Sequence, residues 1–220
     1  MPSSPMDLQT KRRELDDLRR QAAALEREIA LAEVATPEWP PREFYGMYYA
    51  TSGFLLGAIA AAVSLLVNAG LAPLAGKSPL ELIKVYLTFP MGERALTLSA
   101  EQGSGLIFAL GVTLYIGTGM LLGVPLYWLM VRVCGKDAPL AKRAIVGAVI
   151  ALGLWAIAFY GVLAWFQPML LGGNWITDPA ILPPWVAAGT HIVFGLTMAL
   201  LYPLGQFTPY RPVGTTNTAP

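Results

Sequence analysis

The sequence predicts an all-α membrane protein: a four-transmembrane-helix bundle built from two repeated hairpins, preceded by an N-terminal cytoplasmic helix or coiled coil. Three observations predict it. Four stretches, Phe44–Gly76, Gln102–Val131, Ala144–Thr177 and Pro179–Tyr210, contain no Asp, Glu, Lys or Arg. Each is longer than the ~20 apolar residues a helix needs to cross ~30 Å of hydrocarbon. The second and fourth stretches match each other in sequence, and the polar segment before the first carries a seven-residue apolar repeat. With 220 residues, 55% hydrophobic and 13% charged, the chain has room for four spans and one soluble appendage, and for no second globular domain.

Residues 1–38 form the appendage. Ser4-Pro5-Met6-Asp7 reads as a helix start, with Ser4 as the cap, Pro5 where no donor is needed and Asp7 near the positive end of the helix dipole. The helix is expected to run to about Val34. Leu8, Leu15, Ala22 and Ile29 occupy one heptad position and Leu18, Leu25 and Ala32 the other, with Lys11 as the exception. Residues 5–34 therefore suit a short coiled coil, by self-association or with a partner helix, or an amphipathic helix lying on the membrane domain or on a partner. Pro37, Pro40 and Pro41 end it. The charge is concentrated here, with both signs mixed, so no nucleic-acid-binding patch is expected. These residues are also too polar for a cleavable secretory signal, so the first span should stay in the protein.

Residues 44–206 form the bundle and 207–220 a flexible cytoplasmic tail. Phe44, Tyr45, Tyr48 and Tyr49 make an aromatic belt at the start of the first span. The spans are placed at about 46–70, 104–130, 144–166 and 184–206. Between them, Ser78-Pro79-Leu80-Glu81 matches a capping box. It predicts a short interfacial helix from Pro79 to about Thr88, stopped before Pro90. The second outer loop, Gln167–Pro184, reads as an aromatic cap without regular structure. Only Lys77, Lys84 and Arg94 fall on the outer side, against all remaining Lys and Arg on the other. That imbalance predicts a multi-pass membrane protein with both termini in the cytoplasm.

Offset by 78 residues, Ala109, Gly111, Gly117, Met120, Leu122, Pro125 and Leu126 fall on Ala187, Gly189, Gly195, Met198, Leu200, Pro203 and Leu204. Gly57-Ala58 falls on Gly147-Ala148 at an offset of 90. Two parallel repeats related by an axis along the membrane normal are expected. Helices associate in lipid through close packing, which small residues permit. Gly53, Gly57, Gly117, Gly119, Gly123, Gly147 and Gly195 are the expected packing residues, with Pro125 and Pro203 bending or ending their helices at matching heights.

Little in the spans carries chemistry. The single cysteine, Cys134, excludes an intrachain disulfide and a cysteine-rich metal site, and no catalytic or metal-binding spacing is present. The chain is therefore expected not to be an enzyme. His191 is the only histidine and lies inside the fourth span, where an ionisable residue is a functional candidate by default. It suits a neutral imidazole bonded between helices, with Thr190 and Thr113 as partners. It also suits a haem or metal ligand, with Met120, Met198 or another subunit supplying a second haem ligand, or a proton- or quinone-handling group. No paired intramembrane carboxylates support a proton-coupled transporter.

The run His191-Ile192-Val193-Phe194-Gly195 within a duplicated two-hairpin core, closed by Tyr202-Pro203, resembles small bacterial four-helix membrane proteins of unknown function, some of which accompany respiratory terminal oxidases. The resemblance covers roughly residues 50–207. The repeat counterpart of His191 is Thr113, which departs from a symmetric paired-histidine site. The resemblance implies that the membrane is a bacterial inner membrane, and that the chain is a non-catalytic accessory or assembly subunit of a respiratory complex, packed against larger membrane subunits. A haem- or quinone-binding electron-transfer protein centred on His191 is the alternative, and a small transporter or channel the second alternative.

Overall fold

The computed structural model describes residues 5–35, 42–98 and 105–208. The expected cap at Ser4, the prolines at 37, 40 and 41 and the tail beyond 208 lie outside the described residues. Helix α1 spans Pro5–Ala35 and is a compact unit of its own. Leu15, Leu18, Leu25 and Ile29 are each roughly half exposed, so the apolar seam has no partner within this unit. Arg19 with Asp16 and Arg20 with Asp17 form exposed pairs one turn apart, of a kind that contributes a few tenths of a kcal/mol, about 0.2–0.5 each.

Every regular element among the described residues of the second unit is helical. After α2 (Arg42–Leu71) come a short 3-10 turn and α3 (Glu81–Met91), then α4 (Gly105–Cys134). α5 (Leu140–Ala156) continues through a π-helical segment, Ile157–Leu163, into α6 (Ala164–Leu171), and α7 (Pro184–Leu201) closes the bundle. Four rods, Tyr45–Leu74, Gly105–Cys134, Leu140–Leu171 and Pro184–Gly205, are long and apolar enough to cross a membrane. They overlap the expected spans, and the third runs farther because the π turn carries the helix on to Leu171.

Each hairpin closes by backbone contact. A Cβ added at Gly53 would sit 2.5 Å from the Gly123 carbonyl oxygen, and one at Gly57 2.5 Å from that of Gly119. A Cβ at Gly147 would come within 2.6 Å of the Gly195 carbonyl oxygen. α2 therefore lies on α4, and α5 on α7, with no side chain between them at these levels. Gly117 differs from its expected role: an added Cβ there meets nothing. Gly119 takes the place that the repeat assigned to Gly117, so the two hairpins interlock about two residues out of register.

The prolines also part company. α7 gives way at Leu201 to a 3-10 turn containing Pro203, whereas α4 continues through Pro125 to Cys134. A proline removes one ladder bond, and nine further residues of packed helix hold α4 together past it.

The expected outer helix forms as α3, with two differences. Ser78 Oγ accepts from the Leu80 amide at 3.3 Å, but Glu81 bonds Lys84 Nζ at 3.3 Å instead of reaching back. Pro90 lies inside the last turn, not beyond it. That position costs little, because the Gly92 amide still reaches the Thr88 carbonyl, and Gly92 then turns the chain at φ 63°. The second outer loop begins with helix α6, which ends at Gly172 with φ 76°. The indole of Trp175 lies against Gly173 and near Gly92.

Candidate functional site

His191 sits on α7 with its Nδ1 2.8 Å from the Ala187 carbonyl oxygen. A carbonyl only accepts, so Nδ1 is the donor, and in a neutral ring Nε2 then keeps a lone pair. Phe159, from the π-helical segment, meets the imidazole edge to face at 5.8 Å. The sequence-predicted partners are engaged elsewhere. Thr113 is exposed and donates to Ala109 of its own helix, while Thr190 donates to Val186 and accepts from Asn68 Nδ2 at 2.9 Å.

The imidazole borders a chamber of about 30 Å3, together with Ser64, Tyr86, Tyr115 and Thr118. Ser64 Oγ and the Tyr115 hydroxyl are 2.7 Å apart, and Tyr86 stacks edge to face on Tyr115. Burial pushes the Tyr86 phenol far above its usual range, so it stays protonated. The chamber has room for about one or two waters, since one water needs ~10–15 Å3 of such space. A porphyrin is many times larger, and neither Met120 nor Met198 borders the chamber. The residues around His191 within this chain therefore do not fit a haem. Among the described residues, no group of three His, Cys, Asp or Glu is placed to hold a metal ion.

At the other end of the bundle a tyrosine pair does what the sequence did not disclose. Tyr127 and Tyr202 are both fully buried. The Tyr127 hydroxyl donates to the Tyr202 carbonyl at 2.7 Å and accepts from Gln206 Nε2 at 3.0 Å. Tyr202 in turn donates to the Gly135 carbonyl at 2.7 Å. An added Cβ at Gly205 would fall 2.5 Å from the Tyr127 hydroxyl. Tyr45 and Tyr48 of the aromatic belt both pack on Phe207.

At the α3 end, Gln167 is fully buried; its Nε2 donates to Thr88 at 3.1 Å and its Oε1 accepts the Ile176 amide at 2.9 Å. One carboxamide thus joins α6, α3 and the loop after Gly172. Its only signal in the sequence is a glutamine inside a charge-free stretch, which identifies a buried amide and not its partners.

Comparison with known proteins gives no match: no family model, no curated protein and no solved structure aligns with the chain. The fold itself defines the class, a multi-pass all-α protein with four helices suited to crossing a membrane.

Proposed function

We propose that this chain is a non-catalytic accessory or assembly subunit of a larger membrane complex. The observation that carries the reading is the engagement of the bundle's polar side chains with one another. Ser64 with Tyr115, Asn68 with Thr190, Gln167 with Thr88 and Tyr127 with Gln206 are all paired. A reaction centre needs groups held ready for a substrate. Here these four pairs use their hydrogen-bonding capacity on one another, and the chamber beside His191 has space for only a water or two.

In this reading His191 is a neutral structural imidazole, and neither a haem nor a quinone head group is carried beside it. The lipid-facing rods pack sideways against larger subunits, and the exposed seam of α1 docks on a second copy or on a partner helix. The resemblance around His191–Gly195 and Tyr202-Pro203 makes a bacterial respiratory complex of the terminal-oxidase type the partner to test. The distribution of Lys and Arg supports both termini lying in the cytoplasm, and the same resemblance supports a bacterial inner membrane.

Solubilisation of tagged chain in mild detergent, followed by size fractionation and mass spectrometry, tests the reading. The expected result is a large assembly containing integral-membrane subunits. A monodisperse particle of this chain alone overturns it.

A further inference from the structure

A second, larger cavity opens beside the His191 chamber and shares Ser64, Leu82, Leu182 and Thr190 with it. Its volume is about 350 Å3, within the ~300–1,000 Å3 range of small-molecule sites. The outer turns of α2, α3 and the first half of α7 form its walls. Leu71 and Trp185 in those walls are also well exposed on the bundle surface, so the cavity is a crevice that lipid can enter.

The polar side chains lining its interior are already bonded. Asn68 Nδ2 donates to Thr190, Thr190 donates to Val186, and Ser64 pairs with Tyr115. A guest with a polar group deep in the crevice would lose water there and gain little in return. An apolar chain loses nothing.

Charge lies at the rim. Glu81 borders the cavity but is held by Lys84 at 3.3 Å. Lys77 is exposed, borders the same opening and has no ion-pair partner among the described residues. The first turn of α3, the positive end of an 11-residue helix, begins at Glu81 beside it. From Pro184 at the start of α7 to Val193, the deepest α7 residue in the wall, the helix rises ~14 Å, close to half of the ~30 Å hydrocarbon thickness. That is the depth one leaflet's acyl chain occupies.

Gly189 shows why the space exists. Its repeat counterpart, Gly111, is covered by α3, and an added Cβ there would meet Ile83 Cγ2 at 2.5 Å. A Cβ added at Gly189 meets nothing. The first hairpin fills the position with its own outer helix, and the second leaves it open to the crevice.

We propose that this crevice binds one acyl chain of an anionic membrane lipid, the chain lying along α7 past Gly189 and the phosphate head group resting at Lys77. The site is independent of any protein partner. Full-length chain is placed in nanodiscs holding equal amounts of phosphatidylglycerol and phosphatidylcholine, and native mass spectrometry counts the lipid retained on release. The expected preference for phosphatidylglycerol is about five-fold, the effect of one lysine near an anionic head group. Lys77→Gln should bring the ratio close to one while lipid is still retained. Gly189→Leu, which fills the crevice, should remove retained lipid of both kinds, with Val193→Phe as a second filling variant if the first does not fold. A wild-type ratio of one overturns the head-group assignment, and a folded filling variant that keeps as much lipid as wild type overturns the crevice as the site.

Discussion

In the first hairpin two levels of glycine meet, Gly53 on Gly123 and Gly57 on Gly119, whereas in the second only one such level, Gly147 on Gly195, brings backbone against backbone. Between the hairpins the joints are of another kind. Asn68 reaches Thr190, Gln167 reaches Thr88 and Tyr127 reaches Tyr202, each a single hydrogen bond from one hairpin to the other. The contrast has a physical basis. Hydrocarbon gives no net hydrophobic drive between helices, so close approach and hydrogen bonds share the work. Here close approach, joined in the first hairpin by the Ser64–Tyr115 hydrogen bond, builds each hairpin, and single hydrogen bonds reach from one to the other.

The largest expected effect breaks a hairpin from within. Gly57→Leu drives a side chain into the α4 backbone and should cost at least the ~1–3 kcal/mol typical of overpacking, read as a lowered melting temperature in detergent. Gly117→Leu is the control and should stay within about 0.5 kcal/mol of wild type. Equal damage from the two would restore the repeat-symmetric register that the glycine contacts contradict.

Next come the joints between hairpins. Gln167→Leu strands the buried Ile176 amide and should cost about 1–3 kcal/mol. Amide exchange at Ile176 should rise with it, and an unchanged rate there would show that the loop is held by something else. Tyr127→Phe removes the hydroxyl between Tyr202 and Gln206, for about 0.5–1.5 kcal/mol. Thermal unfolding at neutral pH measures it. Asn68→Ala should be the mildest, near the ~0.6 kcal/mol average of hydrogen bonds between membrane helices. If it proves the most damaging of the three, the hairpins are coupled mainly at the α3 end of α2 and α7.

Much of this architecture was legible in the sequence, because length without charge is enough to place a membrane rod. Glycine spacing identified Gly53, Gly57, Gly119 and Gly123 as small residues on a helix, and their pairing across helices then needed coordinates. The repeat aligned Gly57 with Gly147 and Gly117 with Gly195, yet Gly57 meets Gly119 where Gly147 meets Gly195, since internal similarity reports ancestry and not the rotation at which two helices settle. His191 stood out as the lone histidine of an apolar span. Its actual bond, to a carbonyl of its own helix, was invisible because every residue offers such a carbonyl. The Tyr127–Tyr202 pair was missed for a similar reason: tyrosines near span ends are common, and nothing in the order of residues marks two of them as neighbours.

The π-helical segment at Ile157–Leu163 has a consequence for the whole third rod. Gly147, Ala151, Phe159 and Gln167 are all buried and fall on one four-residue spacing. In a regular α-helix a stripe of that spacing slips ~40° around the axis at every step, so over this length it would wander from the bundle to the lipid. A wider turn in the middle slows the slip, and Gln167 arrives facing inward. A scan of lipid accessibility along residues 140–171 should therefore change phase at this segment.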